Sequence, residues 1–101
     1  MANACPYITQ AFSILSKKWS GIILHTLSLN LNDELSFTEI KEALQTITPR
    51  ALSIRLNELI EYNLIKKIDY EISHTYQLTE QGKALVDALA PIEKWAHDYF
   101  V

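Results

Sequence analysis

Arg50, Ser53, Ile54 and Asn57 stand three and four residues apart within "ITPRALSIRLNELIEYNLI", residues 47–65. At about 100° per residue, Arg50, Ile54, Asn57 and Glu61 fall on one side of a helix, with Ser53 at its edge. Leu52, Leu56, Leu59 and Asn63 fall opposite. The chemistry on offer is hydrogen bonding to base edges. Arginine pairs with guanine through two bonds, asparagine pairs with adenine likewise, and isoleucine covers a thymine methyl. Each good pair contributes ~1–3 kcal/mol of discrimination. Arg and Asn on a solvated helix face need no such reason, so the assignment rests on the elements around them. Cys5 offers a second chemistry. It precedes a predicted helix, and a helix N-terminus favours the reactive thiolate. Against this, no Lys, Arg or His lies near it in sequence, and free cysteine is commonly an inert packed residue.

The elements follow from periodicity and capping. Ile8, Ala11, Phe12 and Leu15 predict a helix over 7–15. Trp19, Ile22, Ile23, Thr26, Leu27 and Leu29 predict a buried central helix from about residue 18 to 29. "NLNDE" reads as a loop. In "SFTEIKEAL", Ser36 and Glu39 match a capping box, with Thr38 as the alternative cap if residues 35–37 pair as a short strand. Phe37, Ile40 and Leu44 then form one apolar stripe. Thr48-Pro49 is a strong helix start, because the hydroxyl accepts an orphan N–H and proline at the first position loses no bond. A two-turn helix, a turn of about four residues and a longer helix in succession make a helix-turn-helix candidate over about 37–62.

Alternation at Ile68 and Tyr70, then Tyr76 and Leu78, predicts a two-stranded wing over about 64–78. Its turn near 71–73 lacks Gly or Asn. Thr79 caps a last helix over about 80–100, whose apolar face is Leu85, Leu89, Ile92, Ala96 and Tyr99, with Trp95 and Phe100 beside it. Pro91 within it removes a backbone bond and predicts a kink. The fold class is mainly α with a small β-wing, a winged helix-turn-helix, in one domain over 1–101. Tyr7, Ile8, Phe12, Ile92, Trp95, Tyr99 and Phe100 are more apolar surface than so small a domain easily covers alone.

The net charge of −3 is unusual for a nucleic-acid binder. Its distribution is uneven: residues 17–67 hold seven Lys/Arg against six Asp/Glu, whereas 68–101 hold two against six. Lys66 and Lys67 open the wing, and Lys17 and Lys18 precede the second helix; at such edges cations hold phosphates without reading sequence. Arg55, at the margin of the buried face, either contacts phosphate or braces Glu58 or Glu61. Thr48, beside Arg50, joins the DNA-facing set. His25, His74 and His97 have no ligand spacing among them, and no phosphate loop, nucleophile elbow or carboxylate pair is present; neither metal, cofactor nor enzymatic activity is expected. One cysteine, no long apolar run and an opening "MANACPYITQ" unlike a secretory signal predict a cytoplasmic chain that is not in the membrane.

"CPYITQAFSILSKKWSGIILHTL", "SFTEIKEALQTITPRALSIRLNELIEYNLIKK" and "YQLTEQGKAL" resemble HxlR-type bacterial winged-helix regulators, relatives of the MarR group. The most specific parts are "I-T-P-R-x-L-S-x-R-L-x-E-L" and the later "L-T-x-x-G". The resemblance implies a homodimer on a pseudo-palindromic operator, joined through terminal dimerisation helices, and the apolar surface of Tyr7, Ile8, Phe12, Ile92, Trp95, Tyr99 and Phe100 agrees with it as the dimer interface. It also implies that Cys5 senses oxidants or electrophiles, by alkylation or an intersubunit disulfide, and that a small molecule or oxidant is the effector. Two departures stand out. The wing tip "DYEISHTY" lacks the family's usual arginine and carries Asp69 and Glu71, leaving His74 as its nearest cation. Ile54 stands where the family often has glutamine. The alternative function is a winged-helix module that binds protein instead of DNA.

Overall fold

The computed structural model describes residues 3–100. Met1, Ala2 and Val101, part of the expected domain, lie outside the described residues. Helix α1 spans Pro6–Leu15, with proline at its start and Cys5 at the N-cap. Helix α2 spans Ser20–Ser28. It begins later than its apolar pattern suggests, because Trp19 takes a left-handed φ of 82° and turns the chain there. The Trp19 ring packs against the core, and that burial offsets the backbone strain. The expected central helix buries Ile23, Leu24 and Leu27, whereas Ile22 is exposed, as is Leu29 just beyond its end. Nine residues of helix turn only one stripe toward the core.

"NLNDE" is partly ordered, as a 3-10 turn over Leu31–Asp33 that leads into strand β1, Glu34–Ser36. Ser36 ends β1 and caps α3, Phe37–Leu44, through the full capping box with Glu39, so Thr38 is not the cap. Residues 45–48 make the turn, and Thr48 caps α4, Pro49–Glu61, by accepting from the Ala51 N–H at 3.1 Å. Strands β2, Ile65–Asp69, and β3, His74–Leu78, form the hairpin, closed where the Tyr70 N–H donates to the Ser73 carbonyl at 2.7 Å. Helix α5, Glu80–Tyr99, starts at the Thr79 cap and continues through Pro91.

The sheet is antiparallel in the order β1-β3-β2. Leu35, Ile65, Tyr76 and Leu78 point to the same face of it and pack on Leu52, Leu56 and Leu59 of α4, Ile40 of α3 and the α2 stripe. Each buried leucine contributes about 1.5–3 kcal/mol relative to exposure. Because all three α4 leucines are so used, the rotation of α4 about its axis is determined, and with it the direction of its opposite face.

Candidate nucleic-acid interface

Three buried leucines at 52, 56 and 59 turn Arg50, Ser53, Ile54 and Asn57 outward, and all four are exposed. Among the described residues no side-chain hydrogen bond or ion pair occupies Arg50, Ser53 or Asn57. Ile54 keeps 41% of its surface exposed in the middle of this polar face. The N-terminal turns of α4 therefore stand clear of the rest of the fold, with Thr48 exposed just before them. That is the part of a recognition helix that reaches base edges in a major groove.

The cations around α4 are arranged differently from one another. Lys17, in the corner between α1 and α2, donates to Glu58 Oε2 at 2.7 Å. Arg55 Nη1 donates to the other oxygen, Oε1. Of the two carboxylates within reach of Arg55 on α4, Glu58 and not Glu61 is the one it braces. The Lys17 ammonium bound to Glu58 holds that carboxyl below the usual carboxylate range, against an opposing push from burial, and Arg55 adds to the lowering. The same bond raises the Lys17 pKa. Lys18 turns away, its ammonium 5.3 Å from the Trp19 ring centroid.

Lys66 and Lys67 do not act as a pair. Neighbours on a strand point to opposite faces. Lys67 lies opposite Tyr76, on the side of the sheet that packs against the helices; Lys66 lies opposite Gln77, on the other side. His74 shares the Lys67 side, its ring edge-on to Tyr76 with centroids 6.0 Å apart. Lys66 instead faces the Glu34 side, where its charge helps to lower the Glu34 pKa. The larger causes there are hydrogen bonds from the Thr75 and Tyr70 hydroxyls to Glu34 Oε2, the latter at 2.7 Å. These bonds tie the wing to β1. Asp69 and Glu71 are exposed.

Sequence reasoning left two groups out of the site, Glu58 as the partner of Lys17 and Glu34 as the wing's anchor. The spacing of Arg55 and Glu58, three residues on one helix, was a signal for half of the first. Nothing local signalled the rest. Away from α4, Tyr7, Ile8 and Phe12 of α1 and Ile92, Trp95 and Tyr99 of α5 are exposed, as is Phe100 just beyond. Trp95 stacks edge-on with Phe100, centroids 5.0 Å apart. Cys5 is a free, exposed thiol at the start of α1. No helix among the described residues is long and apolar enough to cross a membrane.

YvaP, an uncharacterised helix-turn-helix-type transcriptional regulator of Bacillus subtilis, is 38% identical over 97% of this chain and 91% of its own length. YodB, a transcriptional regulator of the same organism, is 32% identical over 94% of this chain and 85% of its own. The reduced form of YodB superposes with a TM-score of 0.83, covering 96% of this chain and 95% of YodB at 31% identity. YodB has also been solved bound to quinone and after diamide treatment. The HxlR-like helix-turn-helix description matches residues 14–101. With its exposed helix, its wing and this agreement over nearly its whole length, the chain belongs to the HxlR-like helix-turn-helix family of transcriptional regulators.

Proposed function

We propose that this protein is a sequence-specific DNA-binding regulator in the cytoplasm, a single winged domain acting as a homodimer on a pseudo-palindromic operator. One observation carries the reading: the first turns of α4 present Arg50, Ser53, Ile54 and Asn57 on an exposed face backed by buried leucines. Each α4 enters a major groove, and two-fold symmetry sets the half-sites about one helical turn or a multiple apart. Thr48 at the start of that helix, and Lys67 and His74 on one side of the wing, hold phosphates; Lys66, on the other side of the wing, makes a peripheral contact. Exposed Tyr7, Ile8, Phe12, Ile92, Trp95, Tyr99 and Phe100 supply the dimer contact.

Cys5 is proposed as the sensor of an oxidant or electrophile. Its exposure at a helix N-terminus supports this, since the thiolate is the reactive form and is favoured there. The quinone-bound and diamide-treated structures of YodB support the same class of signal. Joined to α1, a modified Cys5 changes the spacing of the two recognition helices through the dimer contact.

The test is selection of a bound duplex from random sequences, then mobility shifts at several salt concentrations. Affinity should fall linearly on a log-log plot with salt as counterions are released. Arg50→Ala should cost ~1–3 kcal/mol and relax preference at one base pair. A uniform loss over all sequences would make Arg50 a phosphate contact instead. The net charge of −3 and the exposed Asp69 and Glu71 favour a second reading, a protein-binding winged helix. Failure to enrich any duplex at low salt would select it.

A further inference from the structure

Glu58 sits on the flank of α4, about 40° around the helix from Ile54 and between the outward face and the buried stripe. When a helix lies in a major groove its tip meets bases and its flanks meet the phosphate walls. On this flank the fold gathers two cations from places 38 residues apart in sequence: Arg55 from α4 itself and Lys17 from the α1–α2 corner. Each takes one oxygen of the same carboxylate, with Lys17 Nζ 2.7 Å from Oε2. The carboxylate is the anion that the two cations share, and the three side chains together carry +1 instead of +2. Side-chain exposure is 43% for Lys17, 24% for Arg55 and 23% for Glu58, so a ligand from outside meets Lys17 first.

Resting on the DNA-binding reading above, we propose that Glu58 is a specificity-determining residue, an internal carboxylate that positions Lys17 and Arg55 as phosphate ligands while withholding one of their two charges from the duplex. The physical reason is a ratio. Attraction to phosphates is the same for every sequence and grows with the number of phosphates neutralised, so it fills competing sites as readily as the operator. Partial neutralisation lowers that shared term. The base-facing side chains of α4 then carry a larger share of the binding. The chain's low overall charge acts in the same direction.

The experiment compares four proteins: the natural chain, Glu58→Gln, Lys17→Gln and the double variant. Glutamine keeps the size of glutamate and one acceptor oxygen. The cluster charges become +1, +2, 0 and +1 respectively. Affinity for random-sequence duplex, measured across salt, should rank Glu58→Gln first, the natural chain and the double variant together, and Lys17→Gln last. Each phosphate gained steepens the salt slope by ~0.9, which near 0.1 M salt is roughly tenfold in affinity per subunit. Discrimination between the selected and random duplexes should fall in Glu58→Gln and return in the double variant. Circular dichroism checks that each variant is folded. If Glu58→Gln and the double variant both lose affinity while folded, Glu58 is a structural brace and the proposal is overturned. Elution from heparin, a polyanion without bases, should follow the same order. If it does while no duplex binds, the regulator reading fails and the charge masking stands; if the order is absent, the masking fails.

Discussion

Glu34 illustrates how much one carboxylate organises. It accepts from the Thr75 hydroxyl and, at 2.7 Å, from Tyr70, so the wing hairpin is anchored to the strand that precedes α3. The Thr75 bond, then the Tyr70 bond, hold its pKa below the usual carboxylate range; the same contact raises that of the Tyr70 phenol, keeping it protonated as a donor. A carboxylate lowered on folding adds stability at pH values above its unfolded pKa. That contribution is lost as pH falls through the lowered folded value. Stability measured by urea unfolding should therefore decline as pH falls through and below the ordinary carboxylate range. Glu34→Gln should show a smaller decline, with part remaining because Glu58 is also lowered. An identical pH profile in the variant would mean that Glu34 contributes nothing to the acid sensitivity. At this scale the sequence was only half readable. Arg50, Ser53, Ile54 and Asn57 announce themselves by helical spacing, whereas Glu34 meets Thr75 across 41 residues and Glu58 meets Lys17 across the same separation. No local pattern contains such a pair.

Among the elements, α5 is the one whose starting point is most tightly specified. Thr79 donates its N–H to the Leu64 carbonyl at 3.1 Å and its hydroxyl to the Asn63 carbonyl at 2.7 Å, fixing the helix against the end of α4 and the start of β2. Gly82, in the first turn, is buried under that same Leu64 carbonyl: an added Cβ would lie 2.0 Å from the oxygen and 3.2 Å from Leu78 Cδ2. Backbone cannot yield as a flexible side chain can. Gly82→Ala should therefore cost ~1–3 kcal/mol or more in urea unfolding, although alanine favours a helix interior by ~1 kcal/mol. A stabilised variant would show that the two elements separate easily. The glycine of "L-T-x-x-G" was visible in the sequence, but its reason was not, since the obstructing carbonyl belongs to another element. Caps behaved oppositely. Ser36 with Glu39 and Thr48 before Pro49 act within three residues, so both helix starts were legible. The left-handed Trp19 was not, because a tryptophan gives no sign that tertiary packing will force a turn on it.

The molecule measures 56 × 32 × 25 Å and carries most of its exposed aromatic side chains on α1 and around the distal end of α5, with Tyr62 and Tyr70 exposed elsewhere. Tyr7 at 84% and Trp95 at 53% exposure leave a surface suited to a second copy of the chain. Phe12→Glu and Trp95→Glu should each shift sedimentation toward the monomer and lower operator affinity together, because one recognition helix reads one half-site. A monomeric natural chain, or variants that stay paired, would count against the two-fold arrangement. The strand order has a separate consequence. With β3 in the middle, β2 is a free edge whose unpaired amides offer a template to any other extended chain. Lys66 and Lys67 alternate along that edge, and ammonium groups in this position discourage strand-to-strand addition on both of its sides. The two lysines, one on each side of the strand, thus guard the protein against fibrous self-association whatever they do on a duplex, and the neutral residues best suited to a strand would be the most hazardous replacements there.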